Sequence, residues 1–195
     1  MTRGSGMGVA AGAGARCGPT AGATTGVAAT YLDRIVPAVL TRLEERKRRL
    51  PEAELATMAG SSARPSFAAA IAAPGVSLIA EVKRASPSKG PIRPDLEVAE
   101  IVRAYEASGA RAVSVLTEED HFRGSLSDLQ GAAASTSLPL LRKDFVVDAY
   151  QIHEARVFGA SAVLLIAALL PDDRLRNLAG LAFDLGLDVL LEVHD

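Results

Sequence analysis

The 195-residue sequence has few residues of the kinds that mark cross-linked, metal-bound or membrane proteins. Its single cysteine, Cys17, excludes a disulfide within the chain, which fits a reducing cytoplasm. The three histidines show no metal-ligand spacing, and neither H-E-x-x-H nor C-x-x-C occurs. No apolar run is long enough to span a bilayer, and a net charge of -2 gives no general indication of nucleic acid or an anionic membrane. We therefore expect no metal, membrane or nucleic-acid partner.

Small and branched aliphatic residues are what the sequence has in quantity. Hydrophobic residues make up 49% of it, although aromatic residues are only 4% and tryptophan is absent. This composition is typical of an α/β protein with an aliphatic sheet, and the length fits one domain. Residues 1–29 differ from the rest because they are rich in Gly, Ala and Thr. We expect them to form a disordered tail, since such a composition cannot bury a core.

The segment after this tail predicts one amphipathic helix. Apolar residues recur at helical spacing from Leu32 to Leu43, and a basic run at 46–49 ends the pattern. Pro37 removes one backbone hydrogen bond, so the helix is expected to start either near Thr30 or near Pro37. A basic run can mark a nucleic-acid patch, but we interpret this one as a solvated helix end that complements the helix dipole.

Strands and helices alternate from residue 76 onward. Strands are predicted at 76–83, 111–117, 138–145, 161–167 and 188–193, and helices at 95–108, from about 125, at 148–158 and at 172–185. Asp148 and Gln151 form a predicted capping box, and His153 is expected on an exposed helix surface. Such alternation implies a parallel sheet, either doubly wound or closed into a (β/α)8 barrel. No G-x-G-x-x-G follows the first strand, which weakens a dinucleotide-binding interpretation.

Charged residues stand at or near the C-terminal ends of three predicted strands. They are Glu81, Lys83, Lys143 and Glu192. Because side chains alternate along a strand, Glu81 and Lys83 point the same way, and Leu78, Ala80 and Val82 face the helices. The other two charged residues follow Leu141 and Leu190 by two positions and share their direction. A barrel keeps its catalytic groups at this end, so the pattern favours the barrel.

Two lysines and two carboxylates suit acid–base chemistry on an anionic substrate. A lysine can protonate a carbonyl oxygen or hold a carboxylate or phosphate, and a carboxylate can take a proton. A desolvated lysine can instead form a Schiff base with a carbonyl substrate, and the residue types leave both options open. Two buried ion pairs without a catalytic role are the structural alternative. Burying charges is costly, so a functional site is the favoured interpretation.

Two loops leave predicted strands at this same end. "SPSKG" at 86–90 is either an active-site lid or a plain turn, and loops at this position usually carry function. "TEEDHFRGS" at 117–125 places Phe122 either as a wall for a ligand ring or as a cap on the core.

The first strand and its loop, "LIAEVKRASPSKG" at 78–90, resemble the signature of the indole-3-glycerol-phosphate synthase family. Further matching stretches lie at 114–129, 139–170 and 185–195, so the resemblance covers roughly 31–195. The segment from Leu32 looks like the extra N-terminal helix that this family places before its barrel. The resemblance implies an α/β TIM (β/α)8-barrel fold at 30–195, with an N-terminal extension helix and about five of the eight strands present.

The family closes the indole ring of 1-(2-carboxyphenylamino)-1-deoxyribulose 5-phosphate in tryptophan biosynthesis, losing CO2 and water without a cofactor or metal. By position, Lys143 matches the general acid and Glu192 the general base. Lys83 matches the lysine that holds anionic groups of this small phosphorylated substrate, and Glu81 matches the carboxylate that orients the lysines. The matching substrate-pocket positions are Ser86 and Phe122.

The family pattern continues with three more strands, which complete the pocket and bind the phosphate; barrels commonly bind phosphate after strands seven and eight. We therefore expect a C-terminally truncated synthase with little or no activity alone. Two alternatives stay open. One is a Schiff-base phosphosugar lyase that uses Lys143, and the other is a non-catalytic half-barrel that acts by pairing with another chain.

Overall fold

The computed structural model describes residues 31–58 and 64–193; the tail predicted at 1–29 and His194 lie outside them. The helices are α1 Tyr31–Arg49, α2 Glu52–Thr57, α3 Phe67–Ala72, α4 Val98–Ala107, α5 Leu126–Ser135, α6 Ala149–Val157 and α7 Asp172–Asp184, with a 3-10 turn at Ala167–Leu169. The strands are β1 Ile79–Val82, β2 Ala85–Ser86, β3 Gly90–Pro91, β4 Ala112–Leu116, β5 Leu140–Lys143, β6 Ala162–Ile166 and β7 Asp188–Glu192. None of the helices in these ranges combines the length and hydropathy of a membrane span.

Five of the strands form one parallel sheet in the order β1-β4-β5-β6-β7, and β2 pairs with β3 in a separate small hairpin. Neighbours in the sheet follow one another along the chain, each joined by one helix, from α4 to α7. A doubly wound sheet would reverse this order at one point. The steady order is that of a (β/α) barrel, so it decides between the two predicted layouts.

Alternation along the strands separates two apolar clusters. One lies between the sheet and the helices, and includes Val113 and Leu165. The other lies on the opposite, inner face, where Leu141 is buried and Leu190 packs against the cluster. The expectation for Leu78 was wrong: it precedes β1 and is 54% exposed.

Helix α1 starts at Tyr31 and includes Pro37. Of the two predicted helix starts, the one near Thr30 therefore agrees with the structure and the one near Pro37 is wrong. Ile35, Val39 and Leu43 are buried on one stripe. Burial of such side chains is worth roughly 1.5–3 kcal/mol each, which offsets the hydrogen bond that the proline removes.

The basic end of α1 is only partly a solvated helix end. Arg46 Nε donates to Glu154 Oε1 at 2.6 Å, and Lys47 Nζ lies 2.9 Å from Asp148 Oδ2. These two residues therefore fix α1 against α6, a role that the sequence interpretation missed. His153 on α6 was also predicted wrongly: its side chain is 13% exposed and lies beside Glu52 of α2.

Asp148 caps α6, but the predicted capping box is only half formed. Its carboxylate accepts the N–H of Tyr150 at 3.0 Å. The side chain of Gln151 does not return a bond to Asp148 and instead binds the preceding loop. Partial burial raises the pKa of Asp148, but the hydrogen bonds from Lys47 and Tyr150 outweigh this effect and leave the pKa below its ordinary value.

We expect Asp148→Asn to lower the free energy of unfolding by about 1 kcal/mol at pH 7, because asparagine keeps the cap but loses the charge facing Lys47. A lowered folded-state pKa stabilises the fold above the unfolded value of about 3.9, and this contribution is lost as the pH falls through the folded pKa. Urea unfolding between pH 7 and pH 3 should show the two proteins converging in acid. A difference that stays constant over this range would contradict the ion-pair explanation.

Candidate active site

A cavity opens at the C-terminal edge of the sheet, where β5 and β7 each end in a charged residue. Lys143 Nζ lies 4.0 Å from Glu192 Oε2, and each side chain is about one-third exposed. The lining side chains are Leu116, Phe122, Lys143, Asp144, Phe145, Leu164, Ile166 and Glu192. The direction that Lys143 and Glu192 share with Leu141 and Leu190 is inward, and it brings the two charged groups together over an apolar floor.

The other two predicted charges form a separate pair at the end of β1. Lys83 Nζ donates to Glu81 Oε1, and both side chains are about one-third exposed. Tyr105 of α4 donates to the backbone oxygen of Glu81 at 3.0 Å and holds this strand end in place. The four predicted residues thus stand at one edge of the sheet as two pairs, and only Lys143 and Glu192 line the cavity described above.

Phe122 lies between this cavity and a second, apolar one. Its ring centroid is 6.2 Å from that of Phe145, with the planes tilted by 42°. The second cavity lies under the N-terminal end of α1, and its lining residues are Leu32, Ile35, Ser86, Pro87, Ser88, Phe122 and Phe145. Phe122 is half-buried and lines both cavities, which favours the wall over the core cap. Ser86 lines the same cavity.

Glu118 holds the loop that carries Phe122, and sequence reasoning did not single it out. Its buried carboxylate accepts backbone N–H groups from Asp120, His121 and Phe122 at 3.2, 2.8 and 2.9 Å. The same carboxylate contacts His121 Nδ1 at 3.0 Å. A carboxylate that accepts several backbone donors fixes the local chain path, so Glu118 sets the position of the aromatic wall.

Gly124 closes this loop against the end of β4. A Cβ atom built there would lie 2.1 Å from the backbone oxygen of Leu116. Arg123 just before it has φ +54°, so the chain turns sharply in the left-handed region. Backbone atoms cannot yield as a flexible side chain can, and only glycine fits here.

We expect Gly124→Ala to destabilise the protein by about 3 kcal/mol or more, because the new methyl group meets backbone. Gly131→Ala is the matched control: Gly131 lies inside α5, with nothing within 4 Å of the added methyl group. That change should stabilise by roughly 0.5–1 kcal/mol. Chemical denaturation of the two variants measures both effects, and equal effects would contradict the close approach at Gly124.

A buried arginine, Arg142, lies directly behind the cavity. It has no exposed surface and forms ion pairs with Asp144 at 2.9 Å and Glu154 at 3.1 Å. Burial lowers the pKa of its guanidinium, but the two carboxylates outweigh burial and leave the pKa raised. Sequence reasoning missed this residue; the only signal was an arginine at a strand position that alternation directs toward the helices.

Within the described residues, no group of three or more His, Cys, Asp or Glu side chains is placed to hold a metal ion. The groups that can act chemically are the Lys143–Glu192 pair and the nearby Glu81–Lys83 pair. Together with the strand order, they define a (β/α)-barrel protein with acid–base groups at the C-terminal edge of its sheet and an aromatic wall beside them.

The family model for indole-3-glycerol phosphate synthase matches residues 32–195. An indole-3-glycerol phosphate synthase of Lachnospira eligens is 49% identical over 166 residues, which are 84% of this chain and 62% of that protein. One from Dehalococcoides mccartyi is 49% identical over 168 residues, covering 84% and 65%. One from Desulfosudis oleivorans is 47% identical over 173 residues, covering 86% and 65%.

The chain belongs to the indole-3-glycerol phosphate synthase family. This finding confirms the resemblance drawn from the sequence and, with the five-stranded parallel sheet, the TIM-barrel class. The chain spans less than two thirds of the length of these curated relatives.

Proposed function

We propose that this chain carries the acid–base part of an indole-3-glycerol phosphate synthase active site. The reaction is ring closure of 1-(2-carboxyphenylamino)-1-deoxyribulose 5-phosphate with loss of CO2 and water. The observation that carries the proposal is the Lys143–Glu192 pair, 4.0 Å apart in a cavity bounded by Phe122 and Phe145. Family membership supports the same substrate.

Lys143 acts as the general acid and Glu192 as the general base. The ring carbon that bears the carboxylate attacks the ketone carbon, and Lys143 protonates the ketone oxygen as the new bond forms. CO2 departs, and the electron pair of its bond restores the aromatic ring. The resulting hydroxyl must take up a second proton in order to leave as water. Glu192 removes one proton from the new ring, and this proton balances the one that the hydroxyl takes up. Solvent then reprotonates Lys143, so one proton is consumed overall.

Lys83 holds an anionic group of the substrate, and Glu81 orients Lys83. Two observations support these roles: the direct Glu81–Lys83 hydrogen bond, and the one-third exposure of both side chains, which leaves the ammonium accessible to a ligand. Lysine suits this task as a compact charge with three donors.

The aromatic ring of the substrate is placed in the apolar cavity beneath α1. Phe122 and Phe145 supply ring contacts there, and Leu32 and Ile35 of α1 line the same cavity. Offset or tilted contacts between aromatic rings are favourable by about 0.5–1.5 kcal/mol beyond burial alone. Ser86 at the cavity edge offers a hydroxyl to the polar part of the same ligand.

We also propose a cytoplasmic role in tryptophan biosynthesis, on the basis of the family and the single cysteine. No cofactor is needed, because proton transfers alone balance the reaction.

The catalytic roles can be measured in a chimera in which residues 32–195 replace the matching segment of the Lachnospira eligens relative. We expect Lys143→Met and Glu192→Gln each to lower kcat by roughly 10²–10⁴-fold, the usual effect of losing a positioned acid or base. Formation of indole-3-glycerol phosphate is followed by fluorescence. Glu100→Gln on the exposed side of α4 is the control for a lost carboxylate and should leave kcat unchanged.

Retention of full activity in Lys143→Met would refute the general-acid role. Borohydride treatment with substrate distinguishes the Schiff-base lyase, because reduction would then attach substrate covalently to Lys143. We expect no such adduct while ring closure proceeds.

The 195-residue chain alone should show turnover reduced by at least about 10³-fold relative to the chimera. Its edge strands β1 and β7 carry Glu81 and Glu192, which are 32% and 34% exposed, so water competes for the groups that should face the transition state. The same fluorescence assay on both proteins at equal concentration measures the ratio. Near-equal turnover would show that the described residues suffice for catalysis.

A further inference from the structure

Arg142 is unusual because it is a completely buried cation one residue from the proposed general acid. Alternation sends Lys143 into the cavity and Arg142 toward α6. The guanidinium uses all three of its nitrogens: Nε donates to Thr117 Oγ1 at 3.2 Å, Nη1 to the backbone oxygen of Gln151 at 2.6 Å and to Glu154 Oε2 at 3.1 Å, and Nη2 to Asp144 Oδ2 at 2.9 Å.

The partners of Arg142 fix the loop between β5 and α6. Asp144 Oδ2 also accepts the hydroxyl of Thr117 at 2.6 Å, and Asp144 Oδ1 accepts the N–H of Phe145 at 2.9 Å. Gln151 accepts the N–H of Val147 at 2.8 Å and donates to the backbone oxygen of Phe145 at 3.0 Å. The network therefore determines where this loop, with its cavity residue Phe145, leaves the sheet.

The same network reaches Lys143 and α1 from two sides. The backbone N–H of Thr117 donates to the backbone oxygen of Lys143 at 3.1 Å. Glu154 uses one oxygen for Arg142 and the other for Arg46 of α1, at 2.6 Å. One cluster of buried groups thus joins the strand end of the general acid, the aromatic loop and the helix that covers the second cavity.

Net stabilisation is a weak explanation for a buried ionic cluster of this kind. Replacing a buried ion pair by apolar residues of similar size is often neutral or stabilising, because desolvation of the charges offsets their attraction. What the charges provide is directional bonds: a planar guanidinium with five fixed donors defines the positions of four partners at once.

We propose that Arg142 is a positioning residue that holds Lys143 and Phe145 in register with Glu192 and Phe122. The catalytic consequence rests on the proposed function; the positioning itself does not. Arg142 does not touch the cavity, and it acts through Thr117 and Asp144.

The test must avoid leaving buried carboxylates without their partner, which Arg142→Met alone would do. The triple variant Arg142→Met, Asp144→Asn, Glu154→Met removes all three charges together. Thr117→Val is a milder second variant that keeps every charge and nearly the same shape, but loses the hydroxyl between Arg142 and Asp144. Arg103→Met, on the exposed side of α4, is the matched control for a lost arginine.

The first readout is amide hydrogen exchange in the 195-residue chain, which does not depend on activity. We expect the amides of Phe145 and Val147 to exchange at least tenfold faster in the triple variant, relative to the β6 amides of Val163 and Leu165, which report the core. Thr117→Val should change the same amides by about threefold, and Arg103→Met should change none. Unaltered relative exchange in both network variants overturns the proposal.

The second readout is the split between kcat and KM in the chimera. If the general acid is misplaced, the triple variant should have a kcat at least tenfold lower and a KM changed less than threefold. A merely structural role would lower the folded fraction and leave kcat and KM of the folded enzyme unchanged. Unchanged kcat with faster loop exchange overturns the link to Lys143. A parent chimera without activity counts against the proposed function, and the exchange result still decides whether Arg142 orders the loop.

Discussion

The two-residue alternation of a β-strand is the constraint on which the rest of this structure depends. It sends Lys143 into a cavity and its neighbour Arg142 into the core behind it. One short strand therefore supplies a cavity-lining ammonium on one face and a buried guanidinium on the other. Parallel neighbours in steady order bring Glu192 to the same edge, so two charges distant in sequence come to 4.0 Å.

The sequence was informative wherever function depends on local periodicity. Alternation gave Lys143 and Glu192 the direction of Leu141 and Leu190, which the structure shows to be inward. The β–α rhythm predicted the elements of the sheet. The predicted strands were longer than the observed ones: Val76 and Leu78 continue the apolar pattern of β1 but precede the strand and are exposed. The apolar period shows which side chains would gain from burial. Whether they are buried depends on the elements that pack against them.

The predictions failed where a polar group takes its partner from a distant element. Arg46 and Lys47 read as a solvated helix end, yet they bind Glu154 and Asp148 of α6. Such contacts leave no spacing in the sequence, because they depend on how two elements meet.

The docking of α1 also has a consequence for the order in which the chain acquires its structure. Arg42 pairs with Asp120, 78 positions later, and Arg46 with Glu154, 108 positions later. Sheet neighbours, by contrast, are consecutive along the chain and are joined by a single helix each. During synthesis, the strands can pair in the order in which they emerge, since domains fold progressively from the N-terminus. Helix α1 is synthesised before α6 and cannot form its pair with Glu154 until α6 exists, so the second cavity is covered only late in synthesis.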